Sequence, residues 1–456
     1  MSQDGGSKVT VDRAFQRDAD AIVRAAHDRG DKAGANREAR NIWLPIVKEN
    51  GYDISTYPEY LIPGNDIMMA AVTQSGGAVH CIPEDRQTKE IVMAAVNNDG
   101  RALGLAASKW KAEPDVIKAA VANHPEALRH VPHEYQQKDD VIEAVSQLGM
   151  TLQYASDHWK ADPDVIRAAL QQDGLAWKYV ASNKMTEQLA LMAVAQNPEA
   201  LCAMSPTWGG LPSVVLMAVK EDGSLLAFVH AVQGYNHLCS DKDIVLAAVE
   251  SDPWAVKYAS DDLKKNKDIA LAAVRGDPLT LKSLAYEMQR NKDVVLTAVK
   301  EEGSLLGFVY YDLGTRHLCS DKDIVLAAVE SDPWAVKYAS DDLKKNKDIA
   351  LAAVREPYTL ELLALEMQRD KEVVLTAVGR DGYALEFASE DLQCDDDVVL
   401  LAAAGDPTAL KYAKPTSSAQ EDEWNRRLVP NPPAFGENPQ AGIGLATQES
   451  DEERYE

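Results

Sequence analysis

An acidic residue opens a short, alanine-rich apolar run at Asp66, Glu90, Asp115, Asp140 and Asp164, and again at Asp243, Asp268, Asp293, Asp323, Asp348, Glu372 and Asp397. Gln188 and Ser213 fill the two missing beats, so fourteen units follow one another in steps of 24 or 25 residues, apart from two steps of 30. This beat constrains the fold more than any other feature of the chain. A unit of that size cannot bury its own apolar face, whereas stacked neighbours bury a continuous one.

Each unit has the same anatomy. Runs such as Ile244, Val245, Ala248 and Val249 place apolar side chains at i, i+1, i+4 and i+5, one face of a helix. The opening acid suits the positive end of the helix dipole. Ten residues after the marker, or nine in two units, stands Gly or Pro, from Gly76 and Gly100 through Pro253 and Pro333 to Pro407. Gly there is expected to take the left-handed conformation that ends the first helix. Pro is expected to open a second, shorter helix, where its missing N–H costs nothing, with Val256 and Ala259 turned inward. Paired alanines such as Ala247 and Ala248 let helices approach closely.

The pattern predicts an all-α chain, an α-solenoid of about fourteen two-helix units. A helical N-terminal cap occupies 1–64, where Phe15, Ala19, Ile22, Val23 and Ala26 form one face and a second helix carries Trp43. The repeat array runs over 65–414. From Pro415 the beat stops, and "PNPPAFGENPQAGIG" and "QESDEERYE" predict a disordered acidic tail over 415–456.

The runs "DKDIVLAAVESDPWAVKYASDDLKKNKDIALAAV" (241–274) and "DKEVVLTAVGRDGYALEFASEDL" (370–392) resemble the repeats of domain of unknown function 4116. That family carries D-x-x-V-V-L-A-A-V, then N/D-G-x-A-L-x-Y-A-S, then a polar turn. The resemblance covers about 65–414 and is weakest around 185–235. It implies a helical repeat array of protist or microbial type, with no assigned activity and no catalytic residues to carry over.

Thirty-nine residues, "HLCSDKDIVLAAVESDPWAVKYASDDLKKNKDIALAAVR", occur at 237–275 and again, unchanged, at 317–355. Packing tolerates Ile for Val, and solvent tolerates almost anything, yet even the polar turn "DDLKKN" is preserved. Neither a core nor a site holds every surface residue fixed. The identity therefore reads as a recent duplication, with near-identical modules at 212–291 and 292–371, and one surface presented twice.

Composition narrows the function classes. A formal charge of −25 argues against nonspecific nucleic-acid binding, which needs Lys and Arg to neutralise phosphates, and against anionic membrane surfaces. It favours basic partners. No run approaches the roughly 18 apolar residues of a membrane helix, and "MSQDGGSKVT" lacks the features of a signal peptide. An intracellular, cytoplasmic location is the expectation. Five cysteines without a CxxC pair read as reduced thiols.

Catalytic constellations are thin. "HVPHEY" offers His130, His133 and Glu134, but its prolines break the helical face that two metal ligands would share. "HLC" puts Cys239 two residues from His237, and Cys319 two from His317. In extended chain such a pair shares a face, but nothing orients the His. "RGD" at 29–31 suggests adhesion only in a secreted protein. No catalytic residue, metal or cofactor is assigned.

Overlaying the units gives a better lead. The residue after the Gly or Pro is Gly77, Arg101, Glu126, Met150, Leu175, Glu199 and Ser224, then Trp254, Leu279, Ser304, Trp334, Tyr358, Tyr383 and Thr408. Polar residues are tolerated there, so the position is expected to face solvent, while two residues later Leu103, Leu128, Val256 and Leu385 read as buried. Trp254, Trp334, Tyr358 and Tyr383 then form an exposed aromatic row suited to a protein or peptide partner. Lys257, Lys282 and Lys337 stand one turn away and would meet acidic groups. The competing expectation is that Trp254 and Trp334 fold over the neighbouring unit as packing residues. The function expected is a non-catalytic scaffold binding another protein along its face. The alternatives are a structural subunit of a large assembly, or an enzyme with a site in a groove between units.

Overall fold

The computed structural model describes residues 13–428 except Glu59, Ile62 and Leu313, with side chains from Asp18 onward. Every regular element among them is helical, and none of the helices is long and apolar enough to cross a membrane. The chain divides into two units, Met1–Ala285 and Tyr286–Glu456. Each is a stack of the predicted repeats, and the protein is an all-α solenoid.

The unit at Lys242–Tyr258 shows how the sequence builds the repeat. Asp241 caps the ten-residue helix Lys242–Ser251, its carboxylate accepting from the N–H of Asp243 and of Ile244 at 2.9 and 3.2 Å. Ile244, Val245, Ala248 and Val249 are each at most 1% exposed. Asp252, in extended conformation, ends this helix and caps the next, accepting from Trp254 N–H at 3.0 Å. The second helix is a six-residue 3₁₀ turn, Pro253–Tyr258, rather than an α-helix. It is too short to gain from α-helical bonding, and its threefold period still points Val256 and Ala259 inward.

The expected left-handed glycine is not found at the turns. Among the described residues only Gly30 and Gly234 have positive φ. The turn glycines are needed for room. A Cβ on Gly76, Gly100, Gly174, Gly223, Gly303 or Gly382 would stand 2.1–2.4 Å from a backbone carbonyl oxygen of the following unit's helix. The N–H exposed by this approach is satisfied from the same helix. Gly76 donates to Asn98 Oδ1 and Gly100 to Asn123 Oδ1, both at 2.7 Å, while Gly223 and Gly303 donate to Ser251 and Ser331 hydroxyls at 3.0 and 3.1 Å. Pro has no N–H to satisfy. After Pro253 the corresponding residue is Gly276, where a Cβ would strike the Pro ring at 2.3 Å.

The opening acids do more than face a helix dipole. A Lys at the first position of one helix bridges two acids at the start of the next: Lys89 reaches Glu113 and Asp115, both at 2.6 Å, and Lys371 reaches Asp395 and Asp397 at 2.8 and 2.7 Å. The Lys89 ammonium holds Asp115 below the usual carboxylate range. Where Glu187 replaces the Lys, Ser213 replaces the acid and donates to it at 2.5 Å. These pairs are solvent-exposed, so they set register more than they add stability.

Buried glutamines join units as well. Gln136 is 6% exposed; its amide N–H groups go to the carbonyls of Val131 and Tyr154, and its Oε1 accepts from Ser156 N–H at 2.8 Å. Gln136→Leu keeps the volume but orphans these backbone groups. The expected loss is about 1–3 kcal/mol, read as a shifted urea midpoint.

Three boundaries differ from expectation. Asp139, not Asp140, is the structural marker of its unit, because Lys138 opens that helix and Asp140 is buried. The spacing to Gly149 is thus the regular ten residues, and only Asp348 to Pro357 is truly one residue short. Residues 32–56 form an earlier unit inside the expected cap. Gly51 donates to Gln74 Oε1 at 2.7 Å, and a Cβ there would stand 2.2 Å from Ala71 O. Lastly, Ser418–Leu428 is an α-helix within the expected tail. Trp424 is 2% exposed and donates to Asp396 Oδ1 at 2.8 Å, so this helix covers the last repeat; residues 429–456 lie outside the described residues.

At the N-terminal end Ala19, Val23 and Ala26 are buried as expected. Ile22 is 56% exposed, having rotated off that face, and the Phe15 side chain lies outside the described residues. Trp43 is buried and donates to Thr56 Oγ1 at 3.1 Å. The "RGD" run is a turn: Gly30 takes φ 80° after the first helix, and Asp31 caps the second by accepting from Gly34 N–H at 2.8 Å.

Candidate functional site

The row of residues after the turn Gly or Pro lies at the second position of the 3₁₀ helix in every unit but one, where Ser304 precedes the α-helix Leu305–Tyr311. Arg101, Glu199, Ser224, Ser304 and Thr408 are exposed there, as expected, while Leu103, Leu128, Val256 and Leu385 one position beyond the next are fully buried. Gly77 is the exception; the Tyr52 ring covers it.

The four aromatics of the row differ in how they are held. Trp254 is half-buried and folds onto the next unit, its Nε1 donating to Asp277 Oδ2 at 2.8 Å. Tyr358 is 39% exposed; its hydroxyl donates to Asp381 Oδ2 at 3.0 Å, and this hydrogen bond to a carboxylate pushes the phenol up. Tyr383 is half-buried and meets Thr408 Oγ1 at 2.7 Å, with its ring edge-on to Tyr412. The tip of each of these three meets the start of the following unit's 3₁₀ helix. Trp334 is 43% exposed, and its Nε1 has no hydrogen-bond partner among the described residues. The packing alternative thus describes Trp254 and not Trp334.

The lysines divide in the same way. In a 3₁₀ helix residues i and i+3 eclipse, which sets Lys257 Nζ 4.0 Å from the centroid of the Trp254 ring. Lys337, identical in sequence context, instead lies over Tyr338 at 4.7 Å. Tyr338 belongs to a cluster that the sequence overlay missed. Its ring lies 5.6 Å from Tyr310 and 5.9 Å from Tyr311, against Gly307, where a Cβ would stand 2.7 Å from the ring. Arg316 covers Tyr310 at 4.4 Å and donates to its hydroxyl. The first module has Ala227, His230, Ala231 and Asn236 at the corresponding places. The signal was there to find, because this stretch interrupts two otherwise near-identical modules.

The Cys–His pairs are not brought together. Asn236–Ser240 and Arg316–Ser320 are 3₁₀ turns, which send residues i and i+2 to different sides. His237 is exposed while Cys239 is buried, and burial pushes the Cys239 and Cys319 thiols up to about 11. Cys81 does approach His80, but its sulfur lies 3.3 and 3.7 Å from the two ring nitrogens, over the ring rather than in line with either. His130 packs against Gly104 of the preceding unit, while His133 and Glu134 are exposed. Among the described residues no group of three His, Cys, Asp or Glu is placed to hold a metal ion.

Fold and row together define a helical-repeat protein of the α-solenoid class. The chain belongs to the family described as Domain of unknown function (DUF4116), whose pattern matches residues 88–136, 138–185, 212–264, 266–313, 321–368 and 370–416. Each match spans two units. Residues 186–211 fall outside, so the weakest stretch is narrower than the 185–235 expected, and the unit at Asn65–Cys81 has the repeat geometry without a match. No curated protein matches the chain.

Proposed function

We propose that this protein is a non-catalytic helical-repeat scaffold that binds another protein or peptide through its aromatic row, Trp254 in the first unit and Trp334, Tyr358 and Tyr383 in the second, with Lys257 over Trp254 and Lys337 over Tyr338. The observation that carries this reading is the exposure of Trp334 and Tyr358, 43% and 39%, at a repeat position where other units place polar residues. Large aromatics there gain nothing from core burial and suit an interface anchor. The charge of −25 supports a protein partner over nucleic acid or an anionic membrane. The buried, poorly acidic Cys239 and Cys319 support a role without nucleophilic chemistry.

The test is capture of partners from lysate on the full chain and on a Trp334→Ala/Tyr358→Ala variant of unchanged helicity. A partner held by the native chain should fall at least tenfold on the variant. Equal capture by both would move binding off this face and overturn the assignment of the row.

A further inference from the structure

The two identical copies are not in the same state. In the first, three groups satisfy one another: Trp254 Nε1 donates to Asp277 Oδ2 at 2.8 Å, Lys257 Nζ sits 4.0 Å over the indole, and Asp277 Oδ1 caps Leu279 N–H at 2.9 Å. In the second, Arg355-Glu356-Pro357 replaces Arg275-Gly276-Asp277-Pro278, one residue shorter. The preceding helix accordingly ends at Ala353 instead of running on as Lys267–Gly276 does. Glu356 stands where Asp277 stands, but its carboxylate caps nothing and pairs with no group among the described residues. Lys337 has turned to the Tyr310–Tyr311–Tyr338 cluster. Trp334 therefore keeps neither its acceptor nor its cation.

We propose that the second copy is a docking site for a basic segment of another protein, whose Lys or Arg side chain seats on the Trp334 indole and pairs with the Glu356 carboxylate. This rests on the scaffold reading and names its partner class. The first copy supplies the template: a cation over the ring, a carboxylate beside it. The second copy retains ring and carboxylate and lacks the cation, and the helices that carry them, Pro333–Tyr338 and Pro357–Leu362, pack against each other. Indole is the strongest aromatic host for a cation, and a chain of charge −25 draws cationic partners toward it.

Other occupants fit worse. An acidic segment meets Glu356 and the overall charge, and a second copy of this chain meets −25 with −25. The chain's own residues 429–456 carry Glu437, Glu449, Asp451, Glu452, Glu453 and Glu456 against the single Arg454. In the first copy the same indole is closed off by Asp277 and Lys257, so docking should occur once per chain, not twice.

The experiment titrates fluorescein-labelled octa-arginine into the full chain at physiological ionic strength, read by anisotropy, with labelled octa-glutamate as control. Trp334→Ala leaves the net charge unchanged and should weaken octa-arginine at least tenfold. Trp254→Ala should leave it within twofold, and Glu356→Gln should weaken it. Replacing Gly276-Asp277 by a single Glu together with Lys257→Ala, which removes both groups that close the first indole, should raise the stoichiometry from one to two. Equal effects of the two Trp variants, or none, would overturn the proposal. If Trp334→Ala lowers helicity, Trp334→Leu and Glu356→Gln are read in its place, and the same criteria apply. A partner captured through Trp334 that octa-arginine does not displace sinks this inference and leaves the scaffold reading standing. A native chain that captures no partner and binds no octa-arginine ends both.

Discussion

Trp177→Ala should lower the stability of its repeat by about 3–5 kcal/mol, the range for emptying a buried Trp site. Trp177 is 1% exposed in the 3₁₀ helix Gly174–Tyr179, packed between the helices Pro163–Gln172 and Glu187–Gln196. Backbone holds both sides, so the cavity cannot close by side-chain adjustment alone. Repeats couple to their neighbours, so the loss should appear as an early phase in urea unfolding followed by circular dichroism. Trp334→Ala is the matched contrast. The same residue type, in another repeat, is 43% exposed, and its removal should move the urea midpoint little. A Trp334→Ala variant as unstable as Trp177→Ala would make Trp334 a packing residue.

Gly100→Ala is a case where two mechanisms predict opposite signs. Gly100 does not have positive φ, so on backbone entropy alone Ala should stabilise by about 0.4–1 kcal/mol. Packing reverses this. The new Cβ would lie 2.2 Å from Ala120 O, 2.8 Å from His124 Cβ and 2.9 Å from His124 N, mostly backbone that cannot swing aside. Relief requires the following helix to move off, which stretches the Gly100 N–H···Asn123 bond. Destabilisation of about 1–3 kcal/mol is expected. Gly405→Ala is the control, since no atom lies within 4 Å of its Cβ position; there the small entropic gain should survive. A Gly100→Ala protein more stable than the native one would refute the close-approach account.

Much of the architecture was legible because it is local and repeated. The face Ile244, Val245, Ala248 and Val249 follows from the helical period, and Asp241 before it is a cap by its chemistry. The buried Val256 follows from which substitutions its equivalents tolerate. What was missed involves partners in another unit. Gly100 looked like a helix terminator, because nothing near it in sequence points to Ala120 O. Asn123 by itself gives no sign of this bond, although the pairing of turn glycines with Asn, Gln or Ser 22 to 28 residues later was open to inspection. The Ser418–Leu428 helix has no apolar period for a pattern to find; buried Trp424 anchors it, with Gln420 donating to Cys394 O and Asp396 Oδ1 beside it. The aromatic row was readable as a row, but which of its members are closed off was not.

The duplicated segment separates the two levels of information. Sequence by itself determined the beat, the helical faces, the caps and the fact that one surface occurs twice. Tertiary structure alone decided that the two surfaces differ. Over the identical residues, up to the helix end at Ala353 in the second copy, the backbone and core repeat, since those interactions lie within the unit. Trp254 and Trp334 nevertheless diverge, because in a solenoid a surface side chain takes its hydrogen-bond acceptor from the next unit. There a single missing residue exchanges Asp277, which accepts from Trp254, for Glu356, which caps nothing.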